Sequence, residues 1–169
     1  NEGDLRDWEA FSEEARVGDF GSDGIPDLCS SVAEGTGMSL EELVSDENLG
    51  RLTATTADGF SEDEDCYSEL HVSGSRSFSI LDADGAEVFD SGSLFEEITA
   101  EAHPDVFNTN HSETGFDGRS DDKGPEPEAI EVGTIGDRTY AFVGFERVSG
   151  FAAVDISDPH SPAFVTYVN

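Results

Sequence analysis

Basic residues are scarce in this sequence, and long apolar segments are absent. Of its 169 residues, 8 are Lys or Arg and 39 are Asp or Glu, which gives a formal net charge of −31. Nucleic acids and anionic membranes are bound through clusters of Lys and Arg, so the composition argues against both as partners. No window approaches the roughly 18 apolar residues of a membrane-spanning helix. The sequence therefore predicts no membrane span.

Cysteine is also rare, with Cys29 and Cys66 as the only two. Neither lies in a Cys-x-x-Cys pair or beside a histidine, which disfavours a zinc site. In an exported protein the two are expected to form a disulfide, and two buried thiols are the alternative. The bond would close a loop of about 36 residues and stabilise the fold by ~3–4 kcal/mol on the chain-entropy model.

Acidic residues are in excess and are spread along the whole chain. Twelve phenylalanines and a regular β pattern favour a folded protein over a disordered one. The self-repulsion of an acidic surface is removed where salt shortens the Debye length to ~3 Å at 1 M. We therefore predict a halophilic source, with an ordinary acidic calcium-binding protein as the alternative.

The two ends of the sequence predict a processed or incomplete piece of a longer protein. The sequence starts Asn1-Glu-Gly-Asp4, without an initiator Met or a signal peptide. It finishes in an uncapped strand pattern over residues 164–169.

Residues 1–50 are predicted to form an irregular, partly helical segment. Leu5, Trp8 and Phe11 recur at intervals of three, which fits a short amphipathic helix or, equally, an extended segment. Ser39-Leu-Glu-Glu42 has the form of a capping box, so we expect a short helix over about 39–46.

From residue 51 the apolar period changes to two, which is typical of strands. Four strands are predicted in a first unit, residues 51–102, and four in a second unit, residues 129–169. Residues 95–100 fit a strand or a helical turn. Four short antiparallel strands form one blade of a β-propeller, so the expected fold class is all-β and propeller-like, with about two blades. The predicted strands are 52–57, 67–72, 76–81, 86–89, 129–135, 139–145, 150–156 and 163–168.

The acidic loop of residues 103–128 joins the two units and ends in the densest cluster of charge. Its glycines and prolines exclude a helix over residues 115–128. Pro125 and Pro127 are expected to hold the backbone of Glu126 and Glu128 extended, with both carboxylates on the same side. Nearby, Glu146-Arg147 is interpreted as a hairpin ion pair, and its joining the loop is the alternative.

Several motifs resemble, in their order, those of the bacterial and archaeal choice-of-anchor I family, some of whose members are described as alkaline phosphatases or cell-surface glycoproteins. The resemblance covers about residues 25–169. It implies a propeller-like fold and an exported protein held at the surface by a C-terminal anchor. The motifs are Asn48-Leu-Gly-Arg-Leu52, Cys66-Tyr-x-Glu-Leu70, Gly74-Ser-Arg-Ser-Phe-Ser-Ile80, Phe89-Asp-Ser-Gly92, Glu97-Ile-Thr-Ala-Glu101, Phe116-Asp-x-Arg-Ser-Asp-Asp-Lys-Gly-Pro-Glu-Pro-Glu128 and Arg138-Thr-Tyr-Ala-Phe-Val-Gly144.

The loop supports a functional and a structural hypothesis. Its carboxylates are hard oxygen ligands suited to Ca²⁺ or another divalent cation, and no organic cofactor is expected. With a metal, the loop could form a phosphomonoesterase site, for which His103 and His111 are near in sequence. The candidate metal ligands are Asp117, Asp121, Asp122, Glu126 and Glu128. The candidate catalytic residues are Arg119, Ser120, Asp121, Asp122 and Lys123.

In the structural hypothesis Arg119 and Lys123 neutralise the acids around them, and the protein is a binding or structural module. We favour this function, in an extracellular or cell-surface protein of a halophilic prokaryote. Its expected partners are the remainder of its own propeller or neighbouring surface-protein chains. A third hypothesis is a polymeric assembly in which strand edges near Thr53 and Val168 pair with another chain.

Overall fold

A computed structural model of the protein describes residues 3–169 and consists mainly of short antiparallel strands. The chain divides into two compact units, Gly3–Ser73 and Gly74–Asn169. Each unit has its own cluster of buried hydrophobic side chains. None of the helices in this part of the chain has the length and apolar character needed to cross a membrane.

The unit Gly3–Ser73 contains three ribbons of two strands. Trp8 pairs with Phe11 across the first ribbon, and their ring centroids lie 6.2 Å apart. The extended alternative for this segment is therefore confirmed, and the helical alternative is wrong, because the chain reverses between these residues. The ribbons pair β1 (Asp7–Trp8) with β2 (Phe11–Ser12), β3 (Glu14–Arg16) with β4 (Thr53–Thr55), and β5 (Phe60–Ser61) with β6 (Cys66–Tyr67).

The predicted disulfide between Cys29 and Cys66 is present in this unit. Hydrogen bonds flank it, since Cys29 N–H donates to the Tyr67 carbonyl at 2.8 Å and Tyr67 N–H donates to the Asp27 carbonyl at 2.9 Å. The Tyr67 ring belongs to the buried cluster of the unit, beside Val17. The cross-link thus holds a loop segment against the edge of the hydrophobic core.

Helix α1 (Leu40–Leu43) confirms the helix expected over 39–46, although it is shorter. The Ser39 hydroxyl accepts a hydrogen bond from Glu42 N–H at 3.2 Å, and the Glu42 carboxylate accepts one from Ser39 N–H at 2.9 Å. These bonds from Ser39, its backbone N–H first, hold the pKa of Glu42 below its usual value. The capping box therefore forms as the sequence indicates.

The unit Gly74–Asn169 begins with a hairpin of β7 (Ser79–Leu81) and β8 (Glu87–Asp90). Helix α2 (Leu94–Ala102) follows, so the helical alternative for residues 95–100 is confirmed. Four strands then form one antiparallel sheet in the order β12-β11-β10-β9, as predicted for residues 129–169. They are β9 (Pro127–Ile135), β10 (Arg138–Phe145), β11 (Phe151–Asp155) and β12 (Ala163–Val168).

The core of this unit lies where helix α2 and the β7–β8 hairpin pack on the sheet. Phe95 of α2 is fully buried, and its ring centroid lies 4.9 Å from that of Phe145 and 5.8 Å from that of Phe78. Val143 of β10 is buried in the same cluster. The apolar alternation of the strands and the helical face of α2 supply this core.

The strands within residues 51–102 do not form the second four-stranded unit that was expected. They pair as separate ribbons, and the boundary between the compact units falls at Ser73 and Gly74, inside that range. Strands of two to four residues separated by Gly- and Asp-rich turns offer too few ladder bonds for one sheet. Residues 3–169 contain no closed ring of sheets, and the propeller stays a prediction.

Candidate functional site

The candidate site is the stretch of residues 115–128, which follows helix α2 and runs into the first two residues of strand β9. Its backbone is bonded to the segment that precedes it. Asp117 N–H donates to the Phe107 carbonyl at 2.8 Å, and Arg119 N–H donates to the Asn108 carbonyl at 2.8 Å. These bonds fold the loop back on itself, so its charged side chains are held in place from within the same unit.

Glu126 and Glu128 do not project on the same side, which corrects the sequence-based expectation. Glu126 adopts a left-handed backbone with φ of +57° and is only 1% exposed, whereas Glu128 is exposed. Such a backbone before Pro127 costs on the order of 1–3 kcal/mol. A local and a tertiary hydrogen bond support it: Glu126 N–H donates to the Lys123 carbonyl at 3.2 Å, and the Glu126 carbonyl accepts from Glu146 N–H at 2.9 Å.

Three cations surround the buried Glu126 carboxylate. Lys123 Nζ lies 2.7 Å from Oε1, while Arg147 Nε lies 2.8 Å and Arg119 Nη2 3.2 Å from Oε2. Arg119 also pairs with Asp122, at 2.5 Å. We call Glu126 with these three cations the Glu126 cluster. It uses the only lysine of the chain and two of its seven arginines.

Two opposing effects set the pKa of Glu126. Burial by itself would raise it, because a charged carboxylate loses its hydration. Hydrogen bonds from Arg147 and Lys123, together with their positive charges, outweigh this effect and lower the pKa from 4.5 to about 2. The same contact with Glu126 raises the pKa of Arg147. The carboxylate is therefore ionised at neutral pH.

A second polar network lies around Asn108, which is fully buried. Its amide nitrogen donates to Glu96 Oε1 and to Ser120 Oγ, both at 2.8 Å. The Ser120 hydroxyl in turn donates to the Asp117 carboxylate. Arg76 Nη1 donates to Glu96 Oε1 at 2.7 Å. Side-chain hydrogen bonds thereby connect helix α2, and through it the segment before β7, to the loop.

Arg76 also binds the backbone of the loop. Its Nη2 donates to the Ser120 carbonyl and, at 3.2 Å, to the Asp122 carbonyl. Gly124 lies against this guanidinium with φ of +59°, and a Cβ there would come within 3.0 Å of Glu96 Oε1. A side chain at this position would therefore meet both an unfavourable backbone conformation and the ion pair.

Arg147 makes both of the contacts that the sequence analysis considered, and the contact with the loop is the shorter. Its expected pairing with Glu146 is a contact of 3.8 Å, whereas its Nε lies 2.8 Å from Glu126. A register shift between Gly144 and Phe145 precedes this turn, and such irregularities re-aim side chains. Arg76, Glu96 and Asn108 were not predicted, because each comes from a different segment and no spacing in the sequence links them.

Ser120 and the two histidines considered for catalysis are engaged in contacts with other residues. Ser120 donates to Asp117 and accepts from Asn108, so its hydroxyl is held in a structural network. His111 Nδ1 lies 3.4 Å from Arg147 Nη1, and His103 Nε2 lies 3.2 Å from the amide nitrogen of Asn169. These contacts place neither histidine as a general base for Ser120, and catalysis by the loop stays a prediction.

The loop carboxylates have different surroundings: Asp122 and Glu126 pair with cations, and Asp117 accepts a hydrogen bond from Ser120. Within residues 3–169, the only three potential metal-ligand side chains whose ligand atoms all lie within 4.8 Å are Cys29, Glu64 and Cys66. The two sulfurs are bonded to each other in the disulfide, so they offer no thiolate. Binding of Ca²⁺ or another divalent cation by the loop stays a prediction.

Comparisons with known proteins place the chain in a family. Gigasin-3a of Magallana gigas is 40% identical to it over 115 residues, which are 64% of this chain and 40% of Gigasin-3a. The chain thus spans less than half of that curated relative, and no solved structure matches it. The choice-of-anchor I domain matches residues 1–159, nearly the whole chain. The chain therefore belongs to the choice-of-anchor I domain family, which associates it with the cell surface or the extracellular space.

Proposed function

We propose that the chain is part of a surface-displayed binding or structural module. In it, buried ion pairs of residues 115–128 stabilise the unit Gly74–Asn169. The observation that carries the proposal is the Glu126 cluster, where a carboxylate that is 1% exposed is held by three cations. A catalytic carboxylate or metal ligand must remain available to substrate or metal, whereas this one is fully paired.

The exposed edges of the sheet support the proposed partners. Strands β9 and β12 are the two edges in the order β12-β11-β10-β9. Ile130 and Val132 of β9 and Val165 and Val168 of β12 are each about half exposed. Edge strands with exposed apolar side chains favour pairing with a further sheet. The partners would be the remaining sheets of a propeller or neighbouring surface-protein chains.

Adaptation to high salt and a calcium contribution belong to the same proposal. The net charge of −31 on 169 residues repels itself at low ionic strength. Neither comparison supports a halophilic source or phosphatase activity, and the metal-dependent phosphomonoesterase remains the competing hypothesis. The esterase hypothesis requires a loop residue that is accessible to substrate or metal, whereas the structural hypothesis requires a buried and paired one. One pair of variants can therefore distinguish the two hypotheses.

The test compares Glu126→Gln with Glu128→Gln in the full chain. Each change removes one carboxylate charge, and the two sites are two residues apart in the sequence. Glu126 is buried, whereas Glu128 is exposed. Removing one partner of a buried ion pair leaves uncompensated charge and costs on the order of 3 kcal/mol. We expect urea unfolding to show a loss of this size for Glu126→Gln and less than about 0.5 kcal/mol for Glu128→Gln. Equal stabilities would contradict the structural role.

The same proteins are assayed for hydrolysis of p-nitrophenyl phosphate in high salt, with and without EDTA. A structural loop predicts no turnover above background in the wild-type chain or in either variant. Turnover that EDTA removes, and that Glu126→Gln abolishes at a protein concentration where the variant is still folded, would instead establish the esterase. Circular dichroism at the assay temperature provides the folding control.

A further inference from the structure

A modification motif lies next to the Glu126 cluster and contacts it through His111. Asn110-His111-Ser112 has the form Asn-x-Ser without proline at the middle position, which is the acceptor signature for N-linked glycosylation. Asn110 is the only asparagine of the sequence that is followed two positions later by Ser or Thr. Short motifs of this kind also arise by chance, so its structural setting decides its meaning.

The motif lies on a loop tip that is closed at its base. The Thr109 hydroxyl accepts a hydrogen bond from Gly115 N–H at 3.0 Å and donates to the Glu113 carbonyl at 3.2 Å. Thr109 itself is buried, whereas every residue from 111 to 116 is exposed. The base of the tip is thus fixed to the unit, and the last two residues of the motif, His111 and Ser112, are exposed to solvent.

The two neighbouring asparagines differ in what their amide nitrogens do. Asn108 Nδ2 is buried and donates to Glu96 and Ser120. Asn110 is half-buried, and its Oδ1 accepts a weak hydrogen bond of 3.5 Å from Ser112 N–H. Its Nδ2 makes no hydrogen bond within the described residues 3–169. The nitrogen that must react is therefore available at Asn110 and occupied at Asn108.

We propose that Asn110 is an N-glycosylation acceptor. The donor would be an oligosaccharide carried on a polyprenyl phosphate or pyrophosphate, and a transferase would supply the catalysis. A bond forms between Asn110 Nδ2 and the anomeric carbon of the sugar, while the bond from that carbon to the phosphate oxygen breaks. The lipid phosphate leaves with the bonding electrons, and a base of the transferase takes one amide proton.

A glycan at this position is compatible with the ion pairs next to it. His111, the middle residue of the motif, lies 3.4 Å from Arg147 but is itself exposed. The inference uses the surface placement of the protein and is independent of the role proposed for Glu126, so either can fail without the other.

The test is secretion of the full chain from yeast, followed by intact-mass measurement and peptide mapping after enzymatic removal of N-glycans. We expect one glycan, located at Asn110 by its conversion to Asp on deglycosylation. Asn110→Gln and Ser112→Ala should each abolish it, while Ser112→Thr should retain it because the hydroxyl is kept. Asn48→Gln, which lies outside any acceptor motif, is the matched control and should leave the glycan in place.

Ser112→Ala keeps Asn110 and changes only an exposed side chain, so loss of the glycan in this variant cannot come from misfolding if its thermal unfolding matches that of the deglycosylated wild type. Secreted wild-type protein with an intact disulfide and no glycan would overturn the proposal. A glycan that persists in Asn110→Gln would overturn it as well.

Discussion

At the scale of single residues, Glu126 carries an energetic role that its neighbours in the sequence do not share. A buried ion pair is close to neutral relative to an apolar replacement, but losing one partner is strongly unfavourable. Glu126 faces three cations at once, so a neutral side chain there leaves Lys123, Arg119 and Arg147 facing one another. The left-handed backbone of Glu126 adds strain, which its backbone hydrogen bonds with Lys123 and Glu146 help to hold in place.

Acid should weaken the protein through this carboxylate. The pKa of Glu126 lies at about 2 in the folded protein and near 4.5 in the unfolded chain, because hydrogen bonds from Arg147 and Lys123 outweigh the effect of burial. Its contribution to stability is therefore complete above the unfolded pKa and is lost as pH falls from about 4.5 towards 2. At one pKa unit per 1.36 kcal/mol, the loss is roughly 3 kcal/mol.

Urea unfolding of wild type and Glu126→Gln at a series of pH values measures this contribution. The difference between the two free energies of unfolding should be constant above about pH 5 and should shrink below it. Other carboxylates with lowered pKa values, such as Asp155 and Glu13, titrate in both proteins and cancel in the difference. A difference that is the same at low and neutral pH would show that Glu126 does not titrate in this way.

At the scale of elements, the unit Gly3–Ser73 depends on its cross-link more than the unit Gly74–Asn169 depends on any single bond. Its strands are two or three residues long, which is too short for stable ribbons without packing or covalent support. The sheet of the other unit has strands of five to nine residues. The disulfide therefore lies in the unit whose strands are too short to be stable alone.

Reducing the disulfide should destabilise the unit Gly3–Ser73 and leave the unit Gly74–Asn169 largely unaffected. The expected loss is ~3–4 kcal/mol for a loop of this length. In hydrogen exchange, the amides of Cys29 and Tyr67 should lose protection, because their bonds join the cross-linked segments. The amide of Val143, in the central strand β10, should keep it. Equal loss at all three amides, or no loss at any of them, would contradict separate stabilisation of the two units.

At the scale of the whole molecule, the acidic surface makes stability depend on ionic strength. The chain carries 39 acidic and 8 basic residues, and the described cations are largely paired with acids nearby. The unpaired acids repel one another over about 10 Å at 0.1 M salt and over only ~3 Å at 1 M. Repulsion between the acids therefore opposes folding at 0.1 M salt and opposes it much less at 1 M.

The Tm should therefore rise between 0.1 and 1 M NaCl, and choline chloride should produce a similar rise if screening is the cause. CaCl₂ at matched ionic strength separates the calcium proposal from screening, because a bound ion adds stability beyond the salt effect. A Tm that does not respond to salt would contradict the high-salt proposal. Equal effects of CaCl₂ and NaCl would contradict calcium binding by the loop.

Local patterns in the sequence were sufficient for the elements that local forces decide. The capping box of Ser39 and Glu42 starts helix α1, since its bonds join residues three apart. The alternation of apolar residues over 129–169 predicts four strands joined by short turns, and adjacent hairpins pair without help from elsewhere. The two cysteines had one possible intramolecular partner each, so the disulfide required no knowledge of the fold.

Tertiary structure decided which residues meet when the contact spans many residues. Strand β4 pairs with β3 from the beginning of the chain, which broke up the expected unit of residues 51–102. Arg147 reaches back 21 residues to Glu126, and Arg76 reaches forward 44 residues to the Ser120 carbonyl. The sequence by itself determined the acidic surface, the principal sheet, the disulfide and the location of the charged loop. Only the folded chain determined that the loop closes on a buried carboxylate, because burial and pairing depend on long-range packing rather than on local spacing.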